Sequence, residues 1–125
     1  MSLDGFEAIS FGNSGITASI TKNGTTFNKA TVEKLGHPNN VVLMINREAK
    51  QFAIRPATIK DTISMPFCAG ERQSPSVRWN SKEFLRLITD LTGWDLKNSS
   101  GFRITGSYLS SEKAIVFDLL TAVSN

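Results

Sequence analysis

Lys22 and Asn23 sit at the tip of a turn, and Lys29 follows one residue after a helix-capping asparagine. A second group lies in the other half of the chain: Arg72 and Gln73 in a loop, Arg78 in a strand, and Lys82 and Arg86 one helical turn apart. Long cationic groups and side-chain amides on turns and first helical turns can reach phosphate oxygens, which position a protein on a nucleic acid without reading its sequence. The plainer reading, of equal weight, is a solvated charged rim. Lys82, Glu83 and Arg86 then belong to an exposed helix face with ordinary i, i+3 and i+4 charge spacing.

Other chemistries find little to work with. His37 is the sole histidine, follows a predicted helix end and precedes Pro38, so a solvated or capping role is expected rather than general acid–base work. Cys68 is the sole cysteine, which rules out an intramolecular disulfide and a thiolate zinc cluster. Glu71, Glu83, Asp90 and Asp95 show no paired-carboxylate spacing. Ser10, Ser14 and Ser107 have glycine neighbours but form no nucleophile elbow, and no P-loop, dinucleotide fingerprint or metal-ligand spacing occurs. The expectation is a non-enzyme with no cofactor and no metal.

The chain has 125 residues and 40% hydrophobic residues, which suits one domain with a substantial core. Its net charge of +3 and pI near 9.2 permit a nucleic-acid partner without requiring one. The excess is spread along the chain, with 6 basic and 4 acidic residues in 1–56 and 8 and 7 in 57–125. No apolar run reaches the ~18 residues of a membrane span, and no basic stretch followed by an apolar one marks a signal peptide. With one cysteine, a cytoplasmic setting without membrane contact is the expectation.

The elements that must carry these residues alternate in a definite order. A first strand is predicted at 6–11, a turn at 12–15 and a strand at 16–21, with Ile16, Ala18 and Ile20 on one face. Asn23-Gly24 is a hairpin signal because both residues tolerate positive φ, and 25–27 returns. Asn28 is a predicted N-cap for a helix over 29–35 that Gly36 ends, with Val32 and Leu35 facing the core. So short a helix is unstable alone, so its caps make sense only where tertiary packing demands that length. A hairpin over 41–45 and 51–55 follows, stopped by Pro56. The second half is predicted to hold a strand at 62–67, weakened by Pro66, a loop at 68–75 and a strand at 76–79. Asn80 with Glu83 reads as a capping box for a helix over 81–92 whose Phe84, Leu87, Ile88 and Leu91 form an apolar face. Gly93 ends it, Trp94 is expected to fold back on its last turn, and a hairpin over 102–109 and 114–120 completes the chain. Trp79 and Trp94 both flank a capped helix and are expected in the core, in preference to the alternative of base-stacking platforms.

Both halves, about 6–56 and 62–120, thus read as strand–turn–strand–helix–hairpin. The order points to an internal duplication of a ββαββ unit within a single domain, 1–125, giving a small α+β protein built mainly of β-hairpins.

The stretch from Gly15 to Pro56 resembles the AbrB/SpoVT-like family, which includes the MazE-type antitoxins and MraZ-type proteins. The resemblance is carried by Gly15-Ile16, Gly24, the helix ending Glu33-Lys34-Leu35-Gly36, and the closing hairpin over 41–56. It implies a barrel of swapped hairpins, here supplied by two copies in one chain, as a monomer with pseudo-twofold symmetry or a weak homodimer. It also implies a DNA-binding or DNA-associated regulator of transcription in a bacterium, phage or mobile element. The partner would be double-stranded DNA, contacted by Lys22, Asn23, Lys29, Arg72, Gln73, Arg78, Lys82 and Arg86. DNA-binding members carry basic residues where this chain has Ala18, Ser19, Thr25, Val32 and Glu33, and proline where it has Asn28. Those differences favour the alternative, a non-catalytic protein-interaction module with a protein partner.

Overall fold

A computed structural model describes residues 15–68 and 76–125. Among them the elements are β1 (Thr17–Thr21), β2 (Gly24–Phe27), α1 (Lys29–Leu35), β3 (Asn40–Asn46), β4 (Gln51–Pro56), β5 (Met65–Pro66), β6 (Val77–Trp79), α2 (Lys82–Thr92), β7 (Phe102–Leu109), β8 (Ala114–Asp118), a 3-10 turn (Leu119–Thr121) and β9 (Val123–Ser124). The strands run antiparallel in the order β5-β3-β4-β8-β7-β1-β2-β6, with β9 added on β7. The result is a small α+β fold, a β half-barrel with two helices.

Asn28 explains why a two-turn helix is fastened so firmly. Its Oδ1 accepts from the Thr31 N–H at 3.1 Å, as an N-cap does, and from the Thr17 N–H at 3.2 Å. Its Nδ2 donates to the Gly15 carbonyl. The buried Thr31 hydroxyl lies 2.7 Å from Asn28 Oδ1 and 3.1 Å from the Thr17 carbonyl, either of which can take its one proton. The cap is therefore also the clasp between α1 and the start of β1. At the other end Gly36 adopts φ 81°, and Thr31, Val32 and Leu35 face the core.

Strand β7 serves two sheet regions. Phe102–Thr105 pair with β1, whereas Gly106–Leu109 pair with β8. At the changeover the Gly106 N–H donates to the Ile16 carbonyl at 2.8 Å. A Cβ on Gly106 would stand 2.7 Å from Ile115 Cγ2 and 2.8 Å from Phe117 Cε1, so only glycine lets the core close there.

Ladders β4–β8, β2–β6 and β1–β7 join the first part of the chain to the second. In β4–β8 the central pair Ala53–Val116 is flanked by Phe52–Phe117 and Ile54–Ile115. In β2–β6 the central pair Thr26–Arg78 is flanked by Thr25–Trp79 and Phe27–Val77. Val41 pairs with Met65 as Ile104 pairs with Ala18, and Asn40 with Pro66 as Arg103 with Ser19. The loops of hairpins β3–β4 and β7–β8 both end on a left-handed lysine, Lys50 at φ 57° and Lys113 at φ 53°. The end strands β5 and β6 approach through Trp79, whose Nε1 donates to the Pro66 carbonyl at 3.2 Å.

Aromatic rings fill the interior. Phe27, Phe117, Phe52, Phe84 and Trp79 form a closed cycle with successive centroids 5.8, 4.9, 5.3, 5.5 and 4.8 Å apart. Phe67 joins it 5.5 Å from Phe27.

Several expectations need correction. The N-cap of α2 is Ser81, whose Oγ accepts from the Phe84 N–H at 3.1 Å, so the helix starts one residue later than an Asn80 capping box would have it. Both residue types cap well, and Ser81 is the one whose oxygen reaches the first free N–H groups. Only Phe84 and Ile88 of the α2 face are fully buried, while Leu87 and Leu91 are half-buried. The hairpin loop is Lys22-Asn23, with Thr21 paired to Gly24. Gly24 alone takes positive φ there, at 148°, and a Cβ on it would lie 2.5 Å from the Trp79 carbonyl oxygen. The strand expected at 62–67 shrinks to Met65–Pro66, leaving Ile63 79% exposed. Trp94 stacks on Phe102 of β7, centroids 4.0 Å apart, while its backbone N–H donates to Thr92 Oγ1 in the last turn of α2 at 3.2 Å, and it is half-buried rather than fully in the core. The strand expected at 6–11 lies outside the described residues.

The link after β4 is pinned by Arg55, whose guanidinium grips Asp61 at 2.8 and 3.0 Å while the Thr58 N–H donates to the same carboxylate at 2.7 Å. The Arg55 hydrogen bonds, with those from Thr58, hold the Asp61 carboxyl well below the usual carboxylate range.

These contacts set the outcome of four substitutions. Asn28→Ala is expected to cost about 2 kcal/mol or more in urea unfolding, at the upper end for a lost cap. Asn28→Asp keeps the acceptor, loses the donor to Gly15 and should fall between. Gly106→Ala should cost about 1–3 kcal/mol, the range for overpacking. Because folding lowers the Asp61 pKa, its contribution is present above the unfolded value of about 4 and is lost as pH falls toward the lower folded value. Asp61→Asn should therefore flatten the decline in stability on acidification below about pH 4. An unchanged acid limb would contradict that assignment.

Candidate nucleic-acid interface

The β1–β2 hairpin and β6 create the first part of the site. Val77 and Trp79 point inward, so strand alternation turns Arg78 outward. Its guanidinium donates to the Asn23 carbonyl at 3.1 Å, drawing a cation from the second half over the turn of the first. Lys22 and Asn23 are exposed at that tip.

The second part is a cleft of about 440 Å³ beside the turn, bordered by Lys22, by Leu85 and Arg86 on α2, and by Trp94, Asp95 and Lys97 on the segment after it. Gly93, at φ 78°, ends α2 and starts the chain on its way to those last three residues. Lys22, Arg86 and Lys97 take part in no ion pair among the described residues, where the salt bridges are Lys29–Glu33 and Arg55–Asp61. Asp95 is the acidic group at the cleft, and Asn98 engages it, with Nδ2 at 2.7 Å and the backbone N–H at 3.3 Å. Those bonds, the Asn98 side chain first, together with the Lys97 backbone N–H and the nearby Lys97 charge, hold its carboxyl below the ordinary range. Three cations against one carboxylate leave the cleft net positive.

The expected site residues are therefore partly gathered. Lys22 and Arg86 share the cleft, and Asn23 and Arg78 share the turn. Lys82 is exposed on the first turn of α2. Lys29 lies on α1, 3.8 Å from Glu33 with both side chains largely exposed, a pair worth little in water. Arg72 and Gln73 lie outside the described residues. Lys97 was not foreseen as a site residue, and Trp94 was expected in the core in preference to a base-stacking role. The pointer to them is the glycine-ended helix followed at once by Trp-Asp-Leu-Lys, which sends polar side chains back beside the helix.

The other titratable candidates sit apart from this chemistry. His37 is exposed at φ 55°, and its backbone N–H donates to the Val32 carbonyl at the end of α1. Cys68 is buried. Among the described residues no three His, Cys, Asp or Glu side chains gather as a metal site would need, and no helix is long and apolar enough to cross a membrane.

Compared with protein-family models, with curated proteins and with solved structures, the chain matches none.

Proposed function

We propose that this chain is a swapped-hairpin barrel of two ββαββ repeats that binds double-stranded DNA as an AbrB-like regulatory or accessory protein. The exchange of ladder registers about Ala53–Val116 and Thr26–Arg78 supports the duplication. The observation that carries the DNA reading is the meeting of Lys22 and Asn23 with Arg78 and Arg86 from the other half, free of neutralising carboxylate pairs among the described residues. Lys22, Arg78, Lys82 and Arg86 would contact phosphates, with Asn23 contributing its amide.

A second reading, a protein-interaction module, is favoured by the outer face of β3, β4, β8 and β7. Around Ala53 and Val116 that face carries Met44 at 38% and Leu109 at 45% exposure.

Titration with duplex DNA at several salt concentrations separates the two. Three or four phosphate contacts predict a slope of log K against log salt of about −3 to −4. Arg78→Ala should weaken every duplex alike and reduce that slope by about 1. Absence of binding at low salt would remove the DNA reading and leave the interaction module.

A further inference from the structure

The cleft beside α2 has features that duplex phosphate contact does not require. Phosphates on a duplex surface need only projecting cations, whereas here three cations surround a concavity whose wall includes an indole. Phe102 covers one face of Trp94 at 4.0 Å and 15°, which makes the ring a backed, rigid surface. The half-exposed remainder of the indole borders the cleft together with Leu85. The volume of about 440 Å³ falls in the range of small-ligand sites, whose walls are mostly apolar with a few placed polar groups. Asp95 is held by Asn98, so it does not neutralise Lys22 or Arg86 through a direct ion pair.

We propose that this cleft binds a nucleoside phosphate, with the phosphate held by Lys22, Arg86 and Lys97 and the base against Trp94. An aromatic base supplies a π-face for the indole, and a terminal phosphate supplies the counter-charge for three cations that face one carboxylate, Asp95, which already attracts Lys97. A free nucleotide and an unpaired nucleotide at a strand end share this chemistry. The site stands independently of duplex binding.

The two tryptophans make the test internal. Trp79 Nε1 donates to the Pro66 carbonyl inside the core, whereas Trp94 borders the cleft, so their indole N–H resonances report separately and Trp94→Phe assigns them. ADP, adenosine, inorganic phosphate and a short oligothymidylate would each be titrated into the intact protein. The expected result is a saturable shift of the Trp94 signal with ADP or the oligonucleotide and a silent Trp79. Adenosine or phosphate alone should need about tenfold higher concentration or more, because each forfeits either the ionic or the stacking contacts. Tighter response to ADP assigns the ligand as a free nucleotide, and tighter response to the oligonucleotide assigns it as a strand end. Arg86→Gln, on an exposed helix position, should weaken the response about fivefold or more while leaving Trp79 in place. A silent Trp94 with both ADP and the oligonucleotide at millimolar concentration overturns the proposal, whatever duplex DNA does. So does a response to phosphate as strong as that to ADP, or one that Arg86→Gln leaves unchanged.

Discussion

The cycle of rings Phe27, Phe117, Phe52, Phe84 and Trp79 is the constraint on which the rest of the structure depends. Its members come from β2, β8, β4, α2 and β6, elements drawn from both halves of the chain. Burying a phenylalanine stabilises by roughly 1.5–3 kcal/mol, and a favourable ring pair adds about 0.5–1.5 kcal/mol. Aliphatic residues of β1, α1, β3 and β7 pack in the same core cluster. The sheet must curl for strands as far apart in its order as β4 and β6 to place rings around one centre. Gly106 permits that curl where β7 changes partners, since any side chain there would meet Ile115 and Phe117.

The placement of charge follows from this interior. Trp79 and Val77 must point inward, so Arg78 between them must point outward, beside the Lys22-Asn23 turn that β2 shares with β1. Phe84 docks α2 on the cycle, which sets Leu85 and Arg86 on the flank facing Lys22. The Gly93 cap and the Trp94–Phe102 stack then close the cleft from the other side. The candidate site is thus the outer surface of residues whose neighbours in sequence build the core.

Local chemistry was the legible part of the sequence. Asn28 and Gly36 define α1, and Gly93 ends α2, because a cap needs only a few neighbouring residues. Both long hairpins were legible from apolar or β-rich runs on either side of a polar turn, read at 46–50 and 110–113, although Asn46 itself pairs with Gln51. The choice between Asn80 and Ser81 was not, since either side chain can cap and tertiary fit decides. The strand at 62–67 failed because Pro66 and the end-strand position leave few backbone groups to pair, so Met65–Pro66 alone joins the ladder. The clasp from Asn28 to Gly15 and Thr17 joins segments that are adjacent only in space. For the same reason the cleft could not be read: Lys22, Arg86 and Lys97 converge from three separate segments, and Trp94 resembles any core tryptophan until its partner Phe102 is known.

Because the aromatic cycle takes members from both halves, neither half should complete a core by itself. Fragments covering residues 1–58 and 59–125 would be prepared separately and then mixed, with near-UV circular dichroism reporting the packed rings. The structure requires that neither fragment show the packed signal as a monomer and that mixing restore it. Any structure in the first fragment alone should come from self-association and strengthen with concentration. A first fragment that folds as a monomer, with a thermal midpoint independent of concentration, would contradict a core shared between the halves.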